Sequence, residues 1–404
     1  MRGHSLTRRR VAGDRRSRPG LTIHLLPQVA FEGRLRACCR LGLTILLLAH
    51  VVFWGSDFGE GQRGLMSLRA SDQNSDRIGI LLFNLGGPER LDQVRPFLYN
   101  LFSDPDIIRL PWRGLQAPLA WLIARQRYKL SSGYYKKIGG GSPLRKITED
   151  QASALQAALA AEGIDAGVYV GMRYWDPFID DALADIKKDR VTRLVVLPLY
   201  PQYSVSTTGS SLNKMNEIIQ ERGPEGLQLS IINNYHDDAR YIDALSATIL
   251  EELAGNGDHD PGSTHILFSA HSVPVSYIEK GDPYLNQIRR TVELVMERVG
   301  GERPHSLSFQ SKVGPAKWLG PSTDEKIREL AAKGTQQVLL VPVSFVSEHI
   351  ETLYELDILY RDVAKEAGLP GYRRVPAMNC RQDFIDALAS LVKKALAADE
   401  KTVA

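Results

Sequence analysis

Residues 338–360 read VLLVPVSFVSEHIETLYELDILY, an apolar run that passes directly into a segment opened by Glu348, His349 and Glu351. A short continuous apolar run rich in Val and Leu is the pattern of a strand buried on both faces of a parallel sheet. The segment behind it reads as a helix. At about 3.6 residues per turn, Glu348, Glu351 and Glu355 fall on one face of that helix. The junction of strand end and helix start is where open α/β sheets bind ligands. Carboxylates and an imidazole gathered there suit metal or proton chemistry. The alternative is a surface helix whose acidic first turn complements its own dipole.

The same strand–loop–helix unit recurs outward from this stretch. Strands are expected at 78–84, 168–172, 193–199, 229–233, 265–269, 307–310 and 338–345. Helices are expected at 148–162, 178–188, 212–221, 237–254, 284–299, 323–333, 350–366 and 382–397. Such alternation predicts an α/β fold of parallel sheets flanked by helices. A weak internal repeat divides it. IGILLFNLGGP, VYVGMRYWDP and RLVVLPLYPQYS in the first half match HILFSAHSVP, LSFQSKVGPAKW and VLLVPVSFVSEH in the second, with Pro198 and Pro342 inside corresponding strands. Two similar Rossmann-like lobes, 76–236 and 237–397 with a tail at 398–404, would face each other across a cleft lined by the C-terminal strand ends.

Charge is unevenly distributed. The chain carries +3 overall, but residues 1–70 hold twelve Arg, no Lys and four acids, so +8 sits in the leader and −5 in the body. A mildly acidic body gives no reason to expect a nucleic-acid partner. Residues 1–75 are set aside as a leader. Their apolar stretch Leu41–Trp54 is short for a spanning helix. An organellar targeting segment, a secretory signal and a true start at Met66 are the three origins weighed, with Met66 favoured. That start implies a cytoplasmic protein peripheral to the inner membrane; a genuine targeting segment implies mitochondrion or plastid. Cys38, Cys39 and Cys380 are the only cysteines, so no disulfide framework is expected in the body and Cys380 is read as a partly buried thiol.

Residues 109–127 (RLPWRGLQAPLAWLIARQR) interleave Trp112, Leu115, Trp121 and Leu122 with arginines, as a segment lying in a bilayer interface does. An amphipathic helix packed on its own lobe is the alternative. Among the histidines of the body, only His271 (in SAHSVP) and His349 directly follow strand ends, in corresponding loops of one lobe. The tract GGGSP at 139–143 lacks phosphate-loop spacing and a preceding strand, and Gly86-Gly87 is no dinucleotide fingerprint. QYSVSTTGSS (202–211) either caps a helix or binds a carboxylate at its N-terminus. Arg173 and Tyr174 form a charge-plus-aromatic pair suited to a flat anionic ligand.

NLGGPE (84–89), YYKKIGGGSPLRKIT (134–148), GMRYWDP (171–177), YPQYSVSTTGSSLN (200–213), FSAHSVP (268–274), GDPY (281–284), QSKVGPAKWLGPSTDE (310–325) and VSFVSEHIETLYELD (343–357) together resemble the ferrochelatase family, in order and over nearly all of 77–395. The resemblance implies insertion of ferrous iron into a porphyrin, protoporphyrin IX giving protohaem, in a cleft between two Rossmann-like lobes. It places the catalytic histidine on His271 and the key glutamate on Glu351, both also metal-facing. His349 and Glu355 fall on an acidic proton or metal path, and Leu85, Tyr135, Ser142, Arg173, Tyr174 and Trp318 on the porphyrin lining. The 109–127 segment matches a membrane-facing lip.

Metallation must remove two pyrrole protons and strip water from Fe²⁺. A neutral imidazole takes a proton or ligates the metal, carboxylates one turn apart pass protons on, and a rigid apolar cleft holds the macrocycle bent. His271 is read as the base, with Glu351 assisting. Iron is a substrate, and no permanently bound cofactor is expected. Members with a [2Fe–2S] cluster use four Cys, whereas only Cys380 lies outside the leader, so no cluster is expected. Leu359 stands where some relatives continue the acidic row, which predicts a shorter path. Coproporphyrin or another tetrapyrrole as substrate, another metal, and a two-lobed binding or carrier protein are the competing readings. A homodimer is kept open.

Overall fold

The computed structural model describes residues 76–403, apart from 109–111, 256–261, 263, 313 and 315. The leader readings, Arg109 and Leu110 therefore lie outside the described residues. In chain order the first half runs β1 (Ile78–Asn84), α1 (Val94–Phe102), α2 (Gln116–Lys137), α3 (Leu144–Ala161), β2 (Ala166–Met172), α4 (Ile179–Lys188), β3 (Arg193–Pro198), α5 (Ser210–Arg222) and β4 (Gln228–Ile231). The second runs α6 (Ala239–Gly255), β5 (Thr264–His271), α7 (Val275–Glu279), α8 (Tyr284–Val299), β6 (His305–Gln310), α9 (Thr323–Ala332), β7 (Gln337–Pro342), α10 (Tyr360–Glu366), β8 (Gly371–Arg374) and α11 (Gln382–Val403).

Two four-stranded parallel sheets result, ordered β2-β1-β3-β4 and β6-β5-β7-β8. The orders are the same, so the internal repeat of the sequence is a repeat of topology. Each central strand is apolar on both faces because both are covered. Ile80 and Leu82 of β1 face the core shared with α3, whereas Leu81 and Phe83 face α4 and α5. In the second sheet Leu339 and Val341 join the shared core, while the alternate residues Val338 and Leu340 pack on α9 and α10.

Several departures from the sequence reading have physical causes. β7 stops at Pro342, not residue 345, because proline brings no N–H to the ladder. β8 was not expected: GYRR is short, and every residue in it is only half-buried. α3 begins at Leu144 rather than 148, led in by Pro143 with its φ already near helical. Cys380 is exposed, not partly buried.

The lobes share one apolar core, in which β1 and α3 meet α6, β5, α8 and α11. α11 returns to the first half, where the Leu396 carbonyl accepts from Arg193 Nη2 at 3.0 Å. Behind the strand ends, the fully buried Gln151 of α3 donates to the Asn379 carbonyl at 2.8 Å and accepts from Ser347 Oγ at 3.2 Å. The 84–89 and 138–143 loops lie back to back: a Cβ on Gly141 would sit 2.0 Å from the Glu89 carbonyl oxygen.

Candidate active site

His271 is the last residue of β5, the strand between β6 and β7. It emerges at the C-terminal edge of the sheet with a loop on either side. Its amide donates to Ser344 Oγ at 3.0 Å and its carbonyl accepts from Tyr284 OH at 2.9 Å, so the strand end is held from both. Its Nδ1 lies 2.8 Å from Glu351 Oε2. The ring remains 38% exposed and Glu351 19%. With Nδ1 engaged by a carboxylate, Nε2 is the nitrogen left for another partner.

Glu351 opens a π-helical stretch, Glu351–Leu359, in which hydrogen bonds reach one residue further than in an α-helix, as from Tyr360 N–H to the Glu355 carbonyl. The expected common face of Glu348, Glu351 and Glu355 therefore does not form. Residue 348 precedes the helical segment, and its buried carboxylate turns to Arg374 Nη1 at 2.8 Å and the Ala377 amide at 2.9 Å. Glu351 and Glu355 do converge, on Ser311. Ser311 Oγ donates to Glu351 Oε2 at 2.8 Å and also bonds Glu355 Oε2, while its amide donates to Glu355 Oε1 at 2.9 Å. Tyr360 OH adds a further bond to Glu355 Oε1 at 2.9 Å. One hydroxyl hydrogen cannot serve two carboxylates. When Ser311 donates to Glu351, a proton on Glu355 completes the other bond.

The electrostatics agree with that count. Burial alone would raise Glu351, but His271, His349 and the Ser311 bond hold its carboxyl well below the ordinary range. Burial raises Glu355, and the charge of Glu351 raises it further, favouring its protonated form. Burial alone would lower His271; the Glu351 carboxylate more than offsets this and raises it. His349 is buried, its Nδ1 is 3.1 Å from the Ser347 carbonyl and its Nε2 is 4.0 Å from Glu351 Oε1. Burial is its leading effect and lowers its pKa, so it stays neutral.

The first lobe meets this site through α2. Tyr134 stacks on Tyr354 of the π-helical stretch, with centroids 4.2 Å apart and planes at 18°. Tyr135 beside it is buried close enough for Glu351's charge to add to the burial that raises its phenol. Leu85, Tyr135 and Tyr174 pack in one cluster with Ile350, the residue before Glu351. Arg173 and Tyr174 are held by a residue that no sequence pattern singles out. Buried Asp104 accepts from Arg173 Nη2 at 2.9 Å, Tyr174 OH at 2.6 Å and Ser210 Oγ. Ser142 is buried against Gly87, its Oγ accepting the Leu144 N–H at the start of α3. Trp318 bridges to Pro274 in the loop after His271, and its indole N–H is buried without a partner.

Ser311 was likewise missed. Its only sequence signal is position, directly behind β6. It adopts φ +64, the left-handed region that a serine rarely occupies, and this turns both its amide and its hydroxyl toward the carboxylates. At the N-terminal end of α2, Ala120 and Ala124 are buried while Trp121 and Leu122 are exposed, as are Trp112 and Leu115 just ahead of the helix. The helix thus packs by its small residues and presents its large ones outward. Arg95 and Arg125 lie 5.7 and 5.6 Å from the Trp121 ring. Among the described residues no helix is long and apolar enough to cross a membrane.

A family model described as ferrochelatase matches residues 77–396. A ferrochelatase of Rippkaea orientalis is 52% identical over 323 residues, covering 80% of this chain and 83% of that protein. One of Cyanothece sp. is 52% identical over 325 residues, covering 79% and 83%. Among solved structures, SirB from Bacillus subtilis with Fe³⁺ covers 80% of this chain and 98% of its own at 12% identity, with a TM-score of 0.48.

Proposed function

The chain belongs to the ferrochelatase family, and from that premise we propose which of its residues carry the reaction and which porphyrin it takes. It is a lyase of haem biosynthesis whose substrates are a porphyrin and ferrous iron. The porphyrin is protoporphyrin IX and the product protohaem, with two protons released.

His271 is the base. Nδ1 is tied to Glu351, so Nε2 takes the pyrrole proton, and the imidazolium that forms lies against a carboxylate 2.8 Å away. A pKa raised by that carboxylate suits a base that must accept a proton near neutral pH. Glu351, Ser311 and Glu355 lie each within hydrogen-bond reach of the next. Once Glu355 has released its own proton to solvent and the Ser311 hydroxyl has turned to donate to it, the proton taken by His271 has an outlet through Glu351 and Ser311 to Glu355. Before it takes a proton, the free nitrogen of His271, together with Glu351, would be able to hold Fe²⁺ and replace its waters, with His349 and Glu355 as further groups on the metal path. Leu85, Tyr135, Ser142, Arg173, Tyr174 and Trp318 line the porphyrin site, and the two lobes 76–236 and 237–397 form its walls. Trp112, Leu115, Trp121 and Leu122 rest on the membrane surface, which makes the protein a peripheral one on the cytoplasmic side of the inner membrane. A [2Fe–2S] cluster would need four thiolates and Cys380 is the one cysteine outside the leader, which supports a cluster-free protein.

The observation that carries this reading is the continuous chain His271–Glu351–Ser311–Glu355 at one sheet edge. The test is anaerobic Fe²⁺ insertion into protoporphyrin IX and coproporphyrin, by wild type, His271→Ala and Glu351→Gln. Protoporphyrin is expected to be metallated faster, and both variants to lose turnover by at least about 100-fold, as removal of a positioned base does. Wild-type turnover in both variants would sink the assignment of the site, and faster use of coproporphyrin would sink that of the substrate.

A further inference from the structure

The π-helical stretch that carries Glu351 and Glu355 is fastened from outside by one strand. β8 pairs with β7, Arg374 opposite Leu340, and so belongs to the sheet that delivers His271. Tyr372 and Arg374 lie two residues apart on β8 and both reach the stretch. Tyr372 OH donates to the Leu356 carbonyl at 2.7 Å. Arg374 grips Asp357 with two parallel bonds, Nε to Oδ1 at 2.8 Å and Nη2 to Oδ2 at 2.7 Å, and its Nη1 donates to Glu348 Oε1 at 2.8 Å. The guanidinium side chain is only 8% exposed. It therefore joins Glu348, three residues ahead of the stretch, to Asp357 inside it, spanning the positions of Glu351 and Glu355. Neither Arg374 nor Asp357 touches His271, Ser311 or the two carboxylates.

We propose that Arg374, through Asp357 and Glu348, is a positioning residue for metallation: it fixes the register of the π-helical stretch so that Glu351 faces His271 and Glu355 faces Ser311. A flat fork that bonds two carboxylates at once restrains rotation as well as distance, which a lysine at the same place would not. A stretch bonded in the wider π pattern has an α-helical alternative, and a change of pattern would turn the side chains of 351 and 355 away from their partners. The inference rests on the catalytic reading of Glu351.

The test compares Arg374→Met, Arg374→Lys and Asp357→Asn, each alone and combined with Glu351→Gln, in anaerobic Fe²⁺ insertion. Asp357→Asn keeps the side-chain volume and the Arg374–Glu348 bond, and it decides the matter if Arg374→Met does not fold. The expected result is a fall in kcat of about 100-fold for Arg374→Met, the cost of misplacing a reacting group by about 1 Å, and of about tenfold for the two milder variants. Porphyrin KM should stay within about twofold. In the Glu351→Gln background the same substitutions should cost nothing further, because residues acting through one group are not additive. A purely structural role would lower both backgrounds alike. Full kcat in a folded Arg374 or Asp357 variant, or an undiminished loss in the Glu351→Gln background, would overturn the proposal. Wild-type turnover in Glu351→Gln alone would instead overturn the catalytic reading beneath it.

Discussion

Replacing Ser311 separates strain from chemistry at the proton outlet. Ser311→Ala removes the hydroxyl that bonds both Glu351 and Glu355 but leaves a Cβ at φ +64. Ser311→Gly removes the same hydroxyl and also relieves the backbone, since a left-handed conformation costs an L-residue about 1–2 kcal/mol and glycine almost none. A hydrogen bond to a charged group contributes about 1.5–3 kcal/mol. Loss of the one to Glu351 should therefore slow turnover by about 10- to 100-fold in both variants, provided the proton leaves by this route. Stability should move differently: the glycine variant is expected to unfold at a higher urea concentration than the alanine variant, by the equivalent of about 1 kcal/mol. Steady-state Fe²⁺ insertion and urea unfolding of the two proteins read the two effects separately. More than half of wild-type turnover in Ser311→Ala would refute the route through the hydroxyl. An alanine variant as stable as the glycine variant would refute the strain.

Three other outcomes follow from the same geometry. Gly141→Ala forces a methyl against the Glu89 carbonyl, which overpacking places at about 3 kcal/mol of destabilisation; a urea midpoint equal to wild type would show that the two loops yield freely. The His271–Glu351 pair should stabilise the fold only within a pH window. His271 is raised, so its share is complete below about pH 6.5 and lost as pH rises through the raised value; Glu351 is lowered, so its share is complete above about pH 4.3 and lost as pH falls through the lowered value. The stability gap between wild type and Glu351→Gln should then be widest near about pH 5.5 and shrink toward about pH 9, and a gap independent of pH would contradict the ion pair. Trp121→Glu with Leu122→Glu should weaken co-sedimentation with phosphatidylglycerol vesicles by at least about tenfold, since each large apolar side chain contributes about 1.5–3 kcal/mol when buried. Turnover in detergent should not change, and unaltered sedimentation would remove the lip from the membrane.

The sheets were legible because their central strands are buried on both faces, and that writes an unbroken apolar run into the sequence. The edges were not. β8 makes its contribution through half-buried Tyr372 and Arg374, which no apolar pattern marks. His271 could be found at a strand end and Glu351 in the acidic helix start behind another, and the structure brings them within 2.8 Å. Glu348 was misplaced on their face because a period of about 3.6 was applied across the start of a segment that follows another period. Asp104 and Ser311 were invisible for a different reason. Asp104 lies far ahead of its partner Arg173 in the chain, and Ser311 acts through a backbone conformation that its residue type disfavours. Family resemblance supplied what residue patterns could not, by marking Leu85 and Tyr135 before their convergence with Tyr174 on Ile350 was visible.

The buried seam at Gln151 has a mechanical consequence. An amide that is fully enclosed and bonded to both Ser347 and Asn379, within a core continuous from β1 to α11, leaves no hinge between the halves. Separating them like a clamshell would strand these polar groups and expose the core together. A macrocycle cannot be admitted that way. The pair α1 and α2 sits outside the shared core, packed in a separate cluster that also takes in Leu85, Tyr174 and Ile350. Since the same α2 carries Tyr134 onto Tyr354, the element that lies outside the shared core is also the one that reaches across the stretch bearing Glu351 and Glu355.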